Sequence, residues 1–209
     1  MKTYISKTTR FACLAGSASL MLAAGAAYAG DPAGTGIYLN TDAGVNLTTD
    51  LTVPGRGSIS TDPGLRWDIS MGYACKLTDA FTLSGELETG ILYNSLDKAT
   101  SGGGSASVNG ELYQVPVMAN LIFDWHVNSD WSVYAGAGAG LDYSTIHTSV
   151  GSDVLGSESD FGWQAVAGVR YKLGESSEVG LGYKYLAVKP SGMETIGNNS
   201  IFASYTLHF

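Results

Sequence analysis

The chain contains little cysteine and little positive charge. Cys13 and Cys75 are its only cysteines, and Cys13 lies in the apolar N-terminal stretch. A single remaining cysteine cannot form a disulfide within the chain, so the fold is expected to be stable without one. Lysine and arginine number 11 against 19 aspartate and glutamate residues, a formal net charge of −8. Nucleic acids attract basic surfaces, so we predict no nucleic-acid partner.

Long apolar runs are also scarce, and the one that exists lies at the N-terminus. It covers about residues 11–24 and follows three basic residues with no acidic one: Lys2, Lys7 and Arg10. Ala27 and Ala29 then form an A-x-A cleavage signal. The alternative is a membrane anchor, but a spanning helix needs about 20 apolar residues and this run is shorter. We therefore predict a cleaved signal peptide, 1–29, and one exported domain, 30–209.

What the chain has instead is repeated alternation of apolar and polar residues, the period of a β-strand with two different faces. We predict eight such strands, at 36–47, 65–77, 81–93, 112–125, 131–143, 161–173, 179–187 and 201–209. Each reaches or approaches the ~9–11 residues that a tilted strand needs to cross a bilayer. No segment after the signal peptide shows a helical period, so the predicted fold class is all-β.

The connectors between these strands alternate in length. Short ones occur at 78–80, 126–130 and 174–178, and long ones at 48–64, 94–111, 144–160 and 188–200. Short turns on one side and long loops on the other are typical of bacterial outer-membrane barrels. With both termini in the periplasm, an even number of strands places the four long loops outside the cell. The second long loop contains a glycine- and serine-rich stretch, 101–107, for which we predict a flexible conformation.

Aromatic residues test this topology independently. One predicted ring, at the short-turn end, consists of Phe81, Phe123, Trp125, Trp131, Tyr171 and Phe209. The other, at the long-loop end, consists of Trp67, Tyr93, Tyr113, Tyr143, Phe161, Trp163 and Tyr185. Two such rings are favoured at the two interfaces of a membrane. A soluble β-sandwich, the alternative, would gather aromatic residues in mid-strand. We therefore predict an antiparallel up-and-down transmembrane β-barrel of eight strands.

Several segments carry a resemblance to a known family: the glycine-rich strand 131–140, the steps 115–117, 168–171 and 182–185, and the terminal Phe209. The chain resembles the eight-stranded outer-membrane β-barrels that include the OmpA transmembrane domain and the OmpX-like and Opa-like proteins. The resemblance implies an integral monomer of the bacterial outer membrane, in contact with lipid and lipopolysaccharide. It also implies that Tyr205, Leu207 and Phe209 are read by the barrel assembly machinery.

Charged residues lie on the face opposite the apolar one, toward the predicted lumen. Besides Asp42 and Lys76, this face carries Arg66, Asp68, Glu86, Glu88, Asp124, Asp142, Arg170, Lys172 and Lys184. The interior of an eight-stranded barrel is just wide enough to be filled by side chains. We therefore predict a structural network of paired ions. A narrow path for ions is the alternative.

Two patterns could indicate catalysis. Glu86 and Glu88 share one face, as a pair of acid–base carboxylates would, but a filled lumen admits no substrate. In the third long loop His147 lies near Ser144, Ser149 and Asp153, without a nucleophile motif around them. We therefore predict no catalytic residue and no enzyme activity.

The third long loop is also acidic, with Asp153, Glu158 and Asp160. Carboxylates prefer hard cations and could hold calcium or bridge to lipopolysaccharide through divalent ions, but their spacing matches no calcium loop. We therefore predict neither a metal site nor a cofactor. The expected function is a non-enzymatic outer-membrane protein whose four loops serve adhesion, envelope integrity or contact with a host or surface ligand. The alternative is a porin-like pore or carrier for ions or small molecules.

Overall fold

The structure, a computed structural model, describes residues 35–55, 57–101, 104–148 and 155–209. The predicted signal peptide lies outside these ranges. Ten strands are present: β1 (Gly36–Thr48), β2 (Leu51–Val53), β3 (Gly57–Thr61), β4 (Gly64–Lys76), β5 (Phe81–Ser101), β6 (Gly104–His126), β7 (Trp131–Thr148), β8 (Leu155–Lys172), β9 (Ser177–Val188) and β10 (Ile196–His208). Over the same residues, no helix has the length and apolarity needed to cross a membrane.

Eight of the strands form a closed antiparallel ring, in which β4 to β10 follow one another and β1 joins the two ends. β1 pairs with β10 from Tyr38↔His208 to Thr48↔Asn198. Closure satisfies the backbone hydrogen bonds of both terminal strands, which lipid could not do. The prediction of an eight-stranded antiparallel barrel is confirmed.

Side chains alternate between the outside and the lumen in the same way in all eight strands of the ring. In its eight strands, odd-numbered side chains point mainly outward and even-numbered ones mainly inward. On β4, for example, Trp67 and Tyr73 are exposed, whereas Arg66, Asp68 and Ser70 are buried. The outward face is apolar and the lumen is largely polar, as a barrel surrounded by lipid requires.

All four predicted long loops contain more strand than expected. The first connector includes the hairpin of β2 and β3, and β3 pairs with β5 at Ser58↔Thr100. In the second connector, 94–111, β5 and β6 continue and remain paired as far as Ser101↔Gly104. The prediction of a flexible loop is therefore wrong for the described residues of this segment. Leu96, near the barrel, is still buried. From Asp97 outward most described side chains of the extension are at least partly exposed, so no apolar alternation marks this part in the sequence.

Inward-facing apolar residues pack between the polar ones. At the long-connector end, β2 contributes Leu51 to a buried cluster with Leu96, Leu112, Ile146 and Ile196. Another cluster consists of Ile122, Tyr134, Val166 and Phe202. Its two rings need space: a β-carbon added to Gly182 would lie 2.5 Å from Phe202 Cζ and 2.5 Å from Tyr134 Oη.

We expect Gly182→Val to lower the free energy of unfolding by about 1–3 kcal/mol, because the added methyl groups displace two packed rings. The measurement is urea unfolding of the refolded protein in detergent micelles. Gly85→Val is the matched control, since a β-carbon at Gly85 meets nothing within 4 Å. Equal stability of the two variants would show that the lumen is not packed as described.

Candidate functional site: the charged lumen

The centre of the lumen holds a cluster of charged side chains from four strands. β1 supplies Asp42, β4 supplies Arg66 and Asp68, β5 supplies Glu88 and β9 supplies Lys184. All five are at least nine-tenths buried. Asp42 and Asp68 are direct register partners, and like charges in opposed positions destabilise a pair of strands. The arrangement therefore requires positive charge from across the lumen.

Lys184 supplies that charge. Its Nζ donates to Asp42 Oδ2 at 3.1 Å, to Asp68 Oδ2 at 2.9 Å and to Glu88 Oε2 at 2.8 Å. An ammonium group has three donors, and each one here has a carboxylate. The side chain of Lys184 thus connects β9 to β1, β4 and β5 across the barrel.

Arg66 forms the second centre of the network. Its Nε donates to Asp68 Oδ2 at 2.6 Å, and its Nη2 donates to Glu88 Oε1 at 3.2 Å. Neutral amides continue the network, because Gln164 Nε2 donates to Glu88 Oε1 at 3.0 Å and to Asn120 Oδ1 at 2.8 Å. These bonds bring β6 and β8 into the same network.

The other predicted lumen charges lie outside this cluster. Arg170 forms an ion pair with Asp124 and lies 4.1 Å from the ring centroid of Tyr134. Glu86 accepts hydrogen bonds from Tyr38 Oη at 3.0 Å and from Asn120 Nδ2 at 2.9 Å. Lys172 lies at the short-turn end, where it lines a surface cavity of about 210 Å³. Asp142 forms no ion pair among the described residues.

Sequence reasoning missed the uncharged members of the lumen. Tyr38, Asn120 and Gln164 bond to the carboxylates described above. At the long-connector end, Asn46 Nδ2 donates to Asn94 Oδ1 at 2.9 Å and to Asn198 Oδ1 at 3.0 Å. All of these residues are even-numbered, so the alternation that marked the charges also marks them as inward-facing.

The three carboxylates of Asp42, Asp68 and Glu88 place one oxygen each within 4.8 Å of one another, a geometry that could hold a metal ion. Lys184 Nζ already bonds to all three. The cavity beside them measures about 20 Å³ and is bounded by Glu86 and Phe202, among others. A cavity of this size holds about one water molecule. The centre of the lumen therefore has a structural arrangement rather than room for a substrate.

The structure describes two of the candidate catalytic residues, Ser144 and His147, and does not bring them together. Ser144 is buried in the lumen and donates to Asp142 Oδ2 at 2.5 Å. His147 faces outward, with its ring centroid 6.1 Å from that of Tyr113. Side chains on opposite faces of one strand cannot act as nucleophile and base. Ser149 and Asp153 lie outside the described residues.

Polar contacts at the short-turn end are more exposed. His208 Nε2 lies 3.5 Å from Glu178 Oε2, and His126 Nε2 lies 2.9 Å from Thr82 Oγ1. In the turn after β4, Lys76 Nζ lies 2.9 Å from Asp79 Oδ1. The hydrogen bond and charge of Lys76 lower the pKa of the Asp79 carboxyl.

Comparison with known proteins agrees with the barrel architecture described above. A family model described as the outer membrane protein beta-barrel domain matches residues 15–209. The crystal structure of Neisserial surface protein A is 22% identical, with a TM-score of 0.59 over 84% of this chain and 98% of that chain. Pseudomonas aeruginosa OprG is 15% identical, with a TM-score of 0.51 over 84% and 98%. The outer membrane enzyme PagL is 17% identical, with a TM-score of 0.50 over 79% and 97%. No curated protein sequence matches the chain.

We expect Lys184→Met to lower the free energy of unfolding by about 3–5 kcal/mol, because it leaves buried carboxylates without their counter-charge. Urea unfolding in detergent micelles measures the change. Lys76→Met is the control, since it removes an ammonium whose carboxylate partner, Asp79, is fully exposed, and exposed ion pairs contribute little. If Lys184→Met were no more destabilising than the control, the network would not stabilise the barrel.

Proposed function

The chain belongs to the outer membrane protein β-barrel domain family, and from this premise we propose that it is a closed, non-enzymatic barrel that acts through surfaces at its outer end. As a member of this family it is an integral protein of the bacterial outer membrane. The role that fits the lumen best is surface interaction, by which we mean adhesion or contact with a host or surface ligand. Transport through the barrel is the weaker candidate.

The observation that carries this proposal is the filled lumen. Arg66, Lys184 and their carboxylates span its centre, while apolar clusters occupy neighbouring levels. Side chains that are buried and mutually bonded leave no continuous water column, and an eight-stranded barrel has little free interior in any case. A protein of this kind has its accessible chemistry on the outside.

The longest outward element is the hairpin of β5 and β6. Tyr93 and Tyr113, in the predicted outer aromatic ring, have ring centroids 5.1 Å apart, and β5 continues from Tyr93 to Ser101. At a rise of about 3.3 Å per residue, the strand extends roughly 25 Å beyond that ring. The described residues nearest the tip, Ser101 and Gly104, are exposed, and β3 pairs with β5 between Leu96 and Thr100. This geometry supports a projecting contact surface.

We expect shortening of this hairpin to reduce adhesion severalfold while the barrel still folds. The variant replaces residues 99–106 by Asn-Gly, which suits a two-residue turn between the paired residues Lys98 and Ser107. Adherence of expressing cells to cultured epithelial cells is the readout, and a heat-modifiable gel shift verifies folding. The control shortens a different outward connector, 189–195, between β9 and β10. Unchanged adherence of the hairpin variant would contradict the proposed role of this surface.

We also expect the refolded full-length protein to give no discrete conductance steps in planar lipid bilayers, because ion pairs and apolar side chains fill the lumen. A well-characterised porin in the same bilayers serves as the positive control. Reproducible channels from heat-modifiable protein would favour the pore or carrier role instead.

A further inference from the structure

One buried carboxylate in the lumen forms no ion pair with any residue that the structure describes. Asp142, on β7, is 0% exposed. Its Oδ2 accepts hydrogen bonds from Gln114 Nε2 at 3.1 Å and from Ser144 Oγ at 2.5 Å. Within the described parts of the chain, no lysine or arginine forms an ion pair with it. A buried charge without a counter-charge is strongly unfavourable.

A second carboxylate lies directly opposite. Asp160, on β8, is the register partner of Asp142, and both positions belong to the inward, even-numbered face. Directly opposed residues in antiparallel strands have β-carbons about 4.5–5.5 Å apart, and like charges there repel. The site thus concentrates two negative charges at one level of the barrel.

Arg66 offsets this pair only in part, because its charge acts on Asp142 but its hydrogen bonds go to Asp68, Glu88 and Gln164. Together with Lys184 it already serves the three carboxylates of Asp42, Asp68 and Glu88. Two cations against three carboxylates leave the central network itself one charge negative. Arg66 and Lys184 therefore do not supply the full counter-charge for Asp142 and Asp160.

Two oxygen atoms at the site have no hydrogen-bond partner among the described residues: Asp142 Oδ1 and Gln114 Oε1. Both residues are fully buried, and both atoms can only accept. Buried acceptors without donors are rare in folded proteins. Gln114 Nε2 donates to Asp142 Oδ2, so the two unbonded oxygens of these side chains lie in one small region. That region requires a donor or a cation.

The site also has a route to solvent. β9 ends at Val188, which pairs with Gly162, whereas β8 continues past this level to Leu155. Asp160 lies in the part of β8 beyond the end of β9 and is partly exposed. An ion can therefore reach Asp160 from the outer side of the barrel without crossing the central network.

We propose that Asp142, Asp160, Gln114 and Ser144 bind one calcium ion. Carboxylate, amide and hydroxyl oxygens are the ligands that Ca²⁺ prefers, and its flexible coordination accepts a mixed set completed by water. A divalent ion balances the two carboxylates and gives Asp142 Oδ1 and Gln114 Oε1 a partner. This site departs from the sequence-based expectation of no metal, and it does not depend on the proposed surface role.

The test is calcium binding by the full-length protein, refolded in lipopolysaccharide-free detergent and stripped with EDTA. Titration with CaCl₂ in a calorimeter is expected to show one bound ion per chain and a higher unfolding temperature. Asp142→Asn keeps the shape of the side chain and is expected to weaken binding at least about tenfold, or 1.4 kcal/mol. Asp160→Asn is expected to weaken calcium binding to the same extent. Because Asp160 is partly exposed, this substitution is expected to leave the fold intact.

Asp97→Asn is the matched control, because this partly exposed carboxylate lies at the same end of the barrel and forms an ion pair with the neighbouring Lys98 at 3.8 Å. A gel shift on heating verifies that each variant is folded. The proposal is overturned if the wild-type protein binds no calcium, as it would if the two carboxylates shared a proton. It is equally overturned if all three variants bind calcium like the wild type.

Discussion

The contact of the Lys184 ammonium with three carboxylates is the interaction on which the rest of this barrel depends. Closing eight strands into a ring brings Asp42, Asp68 and Glu88 together in a space too narrow for bulk water. Without a cation, their mutual repulsion and the loss of hydration would oppose closure. A single side chain from β9 bonds to all three. The Lys184 side chain thus both offsets negative charge in the lumen and favours closure of the barrel.

Lipid imposes the complementary constraint from outside. Apolar residues must face outward and backbone groups must pair within the sheet, so polar residues have only the lumen to occupy. There, neutral amides such as Gln164 and Asn120 link the ion pairs, and networks of this kind are favourable only when nearly every group is satisfied. Glycines such as Gly182 leave room for the inward rings of Tyr134 and Phe202. The lumen is therefore packed like a protein core, although much of it is charged.

This packing moves the accessible chemistry of the molecule to its outer end. The hairpin of β5 and β6 extends beyond the aromatic ring, and β3 supports it through strand pairing. Asp142 and Asp160 lie between the central network and this hairpin, and within the described residues neither forms an ion pair. The outer end thus combines a projecting polar hairpin with an incompletely balanced acidic pair, whereas the centre of the lumen is held by ion pairs.

The sequence by itself determined the eight strands of the ring, the closure at the terminal strand and the face of most side chains, because a period of two needs only local alternation. It therefore placed Arg66, Asp68, Glu88 and Lys184 in the lumen. Alternation carries no information about height along the barrel or about partners across it. That Lys184 meets Asp42, 142 residues away, followed only from the register of the closed ring. The extension of β5 and β6 also emerged only in the tertiary structure, because strands with water on both faces show no apolar period.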